Sequence, residues 1–186
     1  ENVSQNNNIN TSKEGTNKIR HEDGGPAFYS QERIGKNEKP FKMWKFRSMV
    51  VNADQMIDQL EDQNEIEGAM FKIKDDPRIT KIGHTIRKYS LDELPQLWNV
   101  LIGDMSLVGP RPPLPSEVEE YTDYDKQRLL VMPGCTGLWQ VIKRNEADFD
   151  EMVWLDIVYI NHSGILEDLK LIIKTIGVVI HPNGAY

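Results

Sequence analysis

Residues 87–101 read Arg87-Lys88-Tyr89-Ser90-Leu91-Asp92-Glu93-Leu94-Pro95-Gln96-Leu97-Trp98-Asn99-Val100-Leu101. Leu94, Leu97, Trp98 and Leu101 follow the i, i+3, i+4, i+7 spacing of one helical face, which predicts an amphipathic helix with Trp98 in the core. Two adjacent carboxylates, Asp92 and Glu93, stand at its entrance shortly after two cations. Two readings of that entrance stay open. Ser90 and Glu93 fit a capping box, and acids in a first turn complement the helix dipole. With Ser90 as N-cap, however, Pro95 would sit inside the helix and cost a hydrogen bond; a helix starting near Pro95 leaves the dyad in the turn before it. Either way both carboxylates face a positive helix end, a position that also attracts phosphate. A carboxylate beside Arg87 stays ionised there and can be brought to a phosphorus atom. An Asp nucleophile with a Glu metal ligand is one use of such a pair.

Towards the N-terminus, Ala27–Gln31 and Phe41–Ser48 predict a β-hairpin around a Gly35-Lys36-Asn37 turn. Period two puts Met43, Lys45 and Arg47 on one strand face, so Lys45 and Arg47 form either a phosphate clamp or a pair of solvated edge charges. Residues 31–49 hold six Lys or Arg against two acids, whereas residues 50–70 hold six acids and no Lys or Arg. The acidic stretch opens with Asn52-Ala53-Asp54-Gln55, a capping pattern, and predicts a half-exposed helix through Ala53, Met56, Ile57 and Leu60. Asp75-Asp76-Pro77-Arg78 reads as a turn before a cation site. Residues 1–23, rich in Asn and poor in aliphatic side chains, read as disordered or linker, with one domain over 24–186.

Towards the C-terminus, a short helix after Thr80 carries Ile82 and Ile86 inward. Pro110-Arg111-Pro112-Pro113 must be extended, and its prolines hold Arg111 in a restricted pose suited to phosphate or to a plain surface turn. Ser116-x-x-Glu119 predicts a helix start, and Pro133–Gly137 a turn with Cys135 as a small packed side chain. Two apolar helices follow near 148–161 and 164–180. Asp156 is the lone charge in Met152–Ile160, so it must be paired inside, with an Arg or in the site. The last helix is a core helix or an interfacial one with Lys170 and Lys174 at headgroups. Trp139 and the methionines read as core.

The whole chain has 186 residues, 22 Lys plus Arg against 29 Asp plus Glu and a net charge of -7. That balance argues against non-specific nucleic-acid binding. A lone Cys135 excludes a disulfide scaffold, and no run is long and apolar enough to predict a spanning helix or a leader. The four His residues show no metal-ligand spacing.

Six ordered segments carry a resemblance: Gly25-Pro26 to Gly35, Lys45-Phe46-Arg47-Ser48-Met49, Asp76-Pro77-Arg78-Ile79-Thr80, Ser90–Leu97, Met105–Pro112 and Pro133–Val141. Together, from about residue 24 to 180, the chain resembles the bacterial monotopic phosphoglycosyl transferases that prime capsular or exopolysaccharide synthesis. The resemblance implies an α+β fold, a mostly helical single domain with a small antiparallel hairpin. It implies transfer of a hexose 1-phosphate, galactose or glucose, from a UDP-sugar to undecaprenyl phosphate with loss of UMP. Asp92 is then the nucleophile, Glu93 the second catalytic residue and Mg²⁺ ligand, and Lys45, Arg47, Arg87 and Arg111 bind substrate; Gln140, and Asp156 by its lone charge, complete the candidate substrate-binding set. The implied partners are a UDP-sugar, a polyprenyl phosphate, the membrane surface and, as an option, a second copy in a homodimer; nucleic acid is not among them. Only polar residues precede Gly24 where the family carries a re-entrant helix, so the chain reads as a catalytic domain for the cytoplasmic face of the bacterial inner membrane, soluble as it stands. Lys143 replaces a family glycine in Lys143-Arg144-Asn145, and Cys135 a branched aliphatic. The competing expectations are a catalytically silent UDP-sugar-binding or regulatory domain, and a phosphohydrolase using Asp92.

Overall fold

A computed structural model describes residues 16–60, 73, 75–143 and 147–180. The first strand of its hairpin runs further than the sequence predicts, and the second stops earlier. Strand β1 (Phe28–Ile34) pairs antiparallel with β2 (Pro40–Phe46), Tyr29 opposite Lys45 and Arg33 opposite Phe41. The connecting turn, Lys36–Glu38, holds Asn37 and Glu38 at left-handed φ of 57° and 59°, a conformation asparagine tolerates better than most residues. Ahead of the hairpin, residues 16–23 form helix α1. Its Ile19 is buried with Ala27 and Ile86 in one hydrophobic cluster, so the packed unit includes residues ahead of Gly24.

After the hairpin a 3-10 turn, Ala53–Met56, runs into the short helix α2 (Ile57–Leu60); Asn52 makes no side-chain cap there. The rest of the expected helix lies outside the described residues. Helix α3 (Lys81–Lys88) starts as predicted, with Thr80 Oγ1 accepting from the Gly83 N–H at 3.0 Å and Ile86 buried. Gly83 is required by close approach: a Cβ there would sit 2.0 Å from the Ser48 carbonyl oxygen. Helix and strand exit therefore meet backbone to backbone, bringing Arg87 over Ser48.

Helix α4 (Gln96–Ile102) is present, but its expected inner face points outward. Leu94, Leu97, Trp98 and Leu101 are exposed, Leu101 by 79%, while Gln96 and Asn99 are buried. The cause is the Asn99 amide. Its Oδ1 accepts from the Trp44 N–H at 3.0 Å, and its Nδ2 donates to the Lys42 carbonyl at 2.7 Å and to Asp104 Oδ2 at 3.1 Å. The side chain thus satisfies the outer edge of β2 as a third strand would, and that demand outranks burial of the leucines.

The second half is built on a strand pairing where the sequence predicts a turn. Strand β3 (Ser106–Val108) pairs in parallel with β4 (Gly134–Thr136). Gly109 and Gly134 allow it, since a Cβ on Gly134 would lie 2.1 Å from the Gly109 nitrogen. Helix α5 (Pro115–Glu119) begins after Leu114, whose N–H donates to Glu117 Oε2 at 2.8 Å; Ser116 is not its cap. A 3-10 stretch, Asp125–Leu130, leads to β4, followed by α6 (Leu138–Ile142), α7 (Phe149–His162) and α8 (Ile165–Ile180). Val108, Tyr159 and Leu171 form the second core cluster. Leu171 is the buried residue of α8, whereas Ile165, Leu166, Leu169, Ile173, Ile176 and Ile180 are exposed, so α8 presents an apolar face to its surroundings. Among the described residues no helix is long and apolar enough to cross a membrane. The architecture is α+β and mostly helical, with the antiparallel hairpin expected and a two-stranded parallel ladder added.

Candidate active site

β1 alternates, so Tyr29, Gln31 and Arg33 share a face, and this face forms one wall of a cavity of about 430 Å³. Lys45, Arg47, Arg78, Arg87, Asp92 and Arg111 line it as well. Residues from the hairpin, α3, the turn before α4 and the proline loop thus converge although they are far apart in sequence. Among the lining residues six are Lys or Arg and three, Asp54, Asp92 and Glu117, are acids, which makes this a cationic recess in an acidic chain.

Asp92 lies in the 3-10 turn Leu91–Glu93 that leads into α4. Ser90 enters that turn at φ 52°, ψ 25° and makes no side-chain cap, and Pro95 directly precedes the regular helix. The later helix start is therefore the one adopted. Asp92 is 9% exposed. Burial, followed by the neighbouring Glu93, pushes its carboxyl up to about 6, against the opposing pull of Lys45 and Arg87. Arg87 is lowered chiefly by burial, with Asp92 and Asp76 acting to keep it charged, and its Nε donates to Ser48 Oγ at 2.8 Å. Glu93 turns outward from the lining and pairs with Lys45 Nζ at 3.2 Å.

Not every sequence candidate is free for substrate. Arg47 lines the cavity, but its guanidinium holds α1: both Asp23 oxygens accept from it at 2.6 Å, and the carbonyls of Pro26, Met49 and Ile19 accept at 2.7, 2.9 and 3.1 Å. Asp156 does not reach the cavity at all. It is fully buried and pairs with Arg128, and burial still lifts it to about 6 despite that partner. Gln140 is also outside the lining; its buried Oε1 has no hydrogen-bond partner among the described residues, beside the lining residue Trp139. Trp139 is a cavity wall more than a core residue. Asp76 forms a turn as expected, accepting from the Arg78 backbone N–H and its guanidinium. Cys135 is pushed up to about 11 by burial, which keeps the thiol protonated. Lys143 pairs with Glu151 at 3.1 Å; Arg144 and Asn145 lie outside the described residues.

Arg33 was not among the sequence candidates. It is 4% exposed, lines the cavity, and is drawn down to about 10 first by burial and then by repulsion from Arg111. Its phase with Tyr29, which pairs with Lys45 across the hairpin, was the signal available.

Residues 16–182 match a family model described as bacterial sugar transferase. The chain belongs to the bacterial sugar transferase family. Among its relatives are a galactosyl transferase CpsE of Streptococcus agalactiae serotype III, 55% identical over 164 residues, and an undecaprenyl-phosphate galactose phosphotransferase of Salmonella typhimurium, 48% identical over 168 residues. Both alignments cover 88% of this chain but 36% and 35% of the relative, so the chain spans about a third of their length. An exopolysaccharide production protein ExoY of Sinorhizobium fredii is 41% identical over 172 residues, covering 90% of this chain and 76% of the relative.

Proposed function

We propose that this chain transfers a sugar 1-phosphate from a UDP-sugar to undecaprenyl phosphate, with Asp92 as nucleophile and galactose as the first sugar to test. The observation that carries the reading is a buried carboxylate poised near neutrality inside a cationic cavity. In the first step an Asp92 Oδ attacks the phosphorus that bears the sugar. The bond from that phosphorus to the bridging oxygen breaks, and UMP leaves with the electron pair. In the second step a phosphate oxygen of the polyprenyl phosphate attacks the same phosphorus and releases the Asp92 carboxylate. Arg87, Lys45 and Arg111 neutralise the charge that develops on the phosphoryl oxygens.

Glu93 is the residue that would hold Mg²⁺. Among the described residues no cluster of three His, Cys, Asp or Glu side chains is present, so an ion here would take most of its ligands from phosphate and water, as Mg²⁺ does in many phosphoryl-transfer sites. Glu93 fits that role in that its carboxylate is partly open to solvent beside Lys45 of the cavity wall, whose ammonium the ion would displace from Oε1. The ion would supply further charge neutralisation on the diphosphate.

A lipid acceptor stays in the bilayer, so the site must work at a membrane surface. The exposed apolar faces of α4 and α8, and of Leu107 on β3, which both helices contact, support attachment there. Incubation with UDP-galactose and Mg²⁺ should give an intact-mass adduct of one hexose phosphate, lost in Asp92→Asn, and UMP release that turns over when undecaprenyl phosphate is supplied. Binding without UMP release would establish the silent-domain reading. Free sugar phosphate in the absence of lipid would establish the hydrolase.

A further inference from the structure

The Pro110–Pro113 segment cannot hold itself in place. Three of its four residues lack an N–H, so its shape depends on what its carbonyls receive from outside. All four carbonyls are gripped. Gly134 N donates to Pro110 O at 2.9 Å and Ile34 N to Pro113 O at 3.0 Å, both from strands. The middle pair, the two carbonyls that follow the Arg111 Cα, is held by side chains: Arg128 Nη2 reaches Arg111 O at 3.4 Å, and Arg33 Nη1 reaches Pro112 O at 3.1 Å. Arg33 Nη2 is anchored in turn on Gln31 Oε1 at 2.8 Å.

Arg33 is an unusual choice for gripping one carbonyl. It is buried, it makes no ion pair among the described residues, and its buried Nε–H has no acceptor. Arg128, by contrast, is compensated by Asp156. A buried cation next to another cation, offset in part by Glu117, is unfavourable in the empty cavity and is relieved once an anion enters. A neutral donor could have held Pro112 without that penalty.

We propose that Arg33 is the positioning residue of Arg111, fixing the proline loop from β1 so that the Arg111 guanidinium meets the diphosphate of the nucleotide sugar in one pose. The proposal rests on the reading of the cavity as a nucleotide-sugar site. Arg33, 4% exposed in the cavity wall, acts on the ligand through the loop that it holds.

The test is a double-mutant cycle on the full chain carrying Asp92→Asn, which cannot form the covalent adduct, with UDP-galactose and Mg²⁺ as probe and Kd read by calorimetry. Arg33→Met should weaken binding about tenfold to a hundredfold, the range for losing a hydrogen bond to a charged group. Arg33→Lys, which keeps the charge but cannot bridge Pro112 O and Gln31 Oε1 together, should recover part of it. In an Arg111→Ala background the Arg33 substitution should change Kd by less than about twofold, because its route to the ligand is gone. An equal effect in both backgrounds overturns the proposal. If Arg33→Met does not fold, the same cycle with Arg33→Lys decides in the same way. A ligand-free arm follows hydrogen exchange at Arg111 and Leu114, which carry the N–H groups nearest the clamped carbonyls. Faster exchange in the Arg33 variant supports positioning, and unchanged exchange overturns it. Absence of UDP-galactose binding by the unaltered chain would remove the nucleotide-sugar reading, while the exchange arm would still decide whether Arg33 fixes the loop.

Discussion

Replacing Asp92 by Asn should make the protein more stable while abolishing its chemistry. The native carboxyl is 9% exposed and its ionisation is pushed from 3.8 up to about 6 by burial and by Glu93. That displacement of about two pH units corresponds to roughly 3 kcal/mol by which the folded protein disfavours the charged carboxylate at neutral pH. An amide resembles the neutral acid and avoids the penalty. The sign follows from proton uptake: between about pH 4 and 6 the folded state binds more protons at this site than the unfolded chain. The native protein is therefore equal to Asp92→Asn below about pH 4, falls behind as pH rises to about 6, and stays behind above it. For a chain of this size about 3 kcal/mol is ~6–12 °C in Tm. Thermal unfolding of both proteins from pH 3.5 to 8 tests this, and subtraction removes the slope from Asp156, which titrates in the same window in both. A difference that does not change with pH, or a variant less stable at pH 8, would refute the idea that the site stores an unfavourable charge.

Other consequences concern residues around Asp92 and on the exposed face of α4. Glu93→Gln should leave unfolding within about 1 kcal/mol, since a partly exposed pair with Lys45 contributes little, yet raise the Mg²⁺ concentration needed for half-maximal UMP release; an unchanged metal response removes Glu93 from the metal site. Arg128→Met should cost about 3–5 kcal/mol in urea unfolding by leaving Asp156 buried and unpaired, and Arg128→Met with Asp156→Leu should recover most of it. Recovery failing would mean that packing, not charge, dominates there. Leu101→Glu, on a side chain 79% exposed, should change stability by less than about 0.5 kcal/mol but lower the fraction that floats with anionic vesicles. Equal flotation would show that α4 does not face lipid.

Much of the site was legible because chemistry-bearing types cluster in short runs. Asp92, Arg87 and Arg111 are read from local spacing, and each lines the cavity. What sequence could not show was which cations are already taken. Lys45 and Arg47 share a strand face by period two, yet Arg47 is captured by Asp23 from a segment read as linker. Asp156 could only be narrowed to an internal partner, because Arg128 is 28 positions away. Helical periodicity located α4 but misjudged its inward side, since a 3.6-residue repeat identifies an apolar face without saying whether protein or something else covers it. The β3–β4 ladder was hidden for a different reason. Its strands have three residues each, and the glycines that permit the contact look like turn residues.

The Asn99 amide, locked into the edge of β2, also makes the stretch between Asp92 and that lock intolerant of length change. Each residue added to a helix turns everything beyond it by about 100°. One inserted residue between Glu93 and Asn99 would withdraw the amide from the Trp44 N–H and Lys42 carbonyl and swing an indole or isobutyl group onto the bare strand edge. Either the edge would be left open, or Asp92 would be displaced to keep it closed. The spacing of seven positions from Asp92 to Asn99 is in this sense a ruler, and substitutions along the outer face of α4 should be far better tolerated than any insertion or deletion inside it.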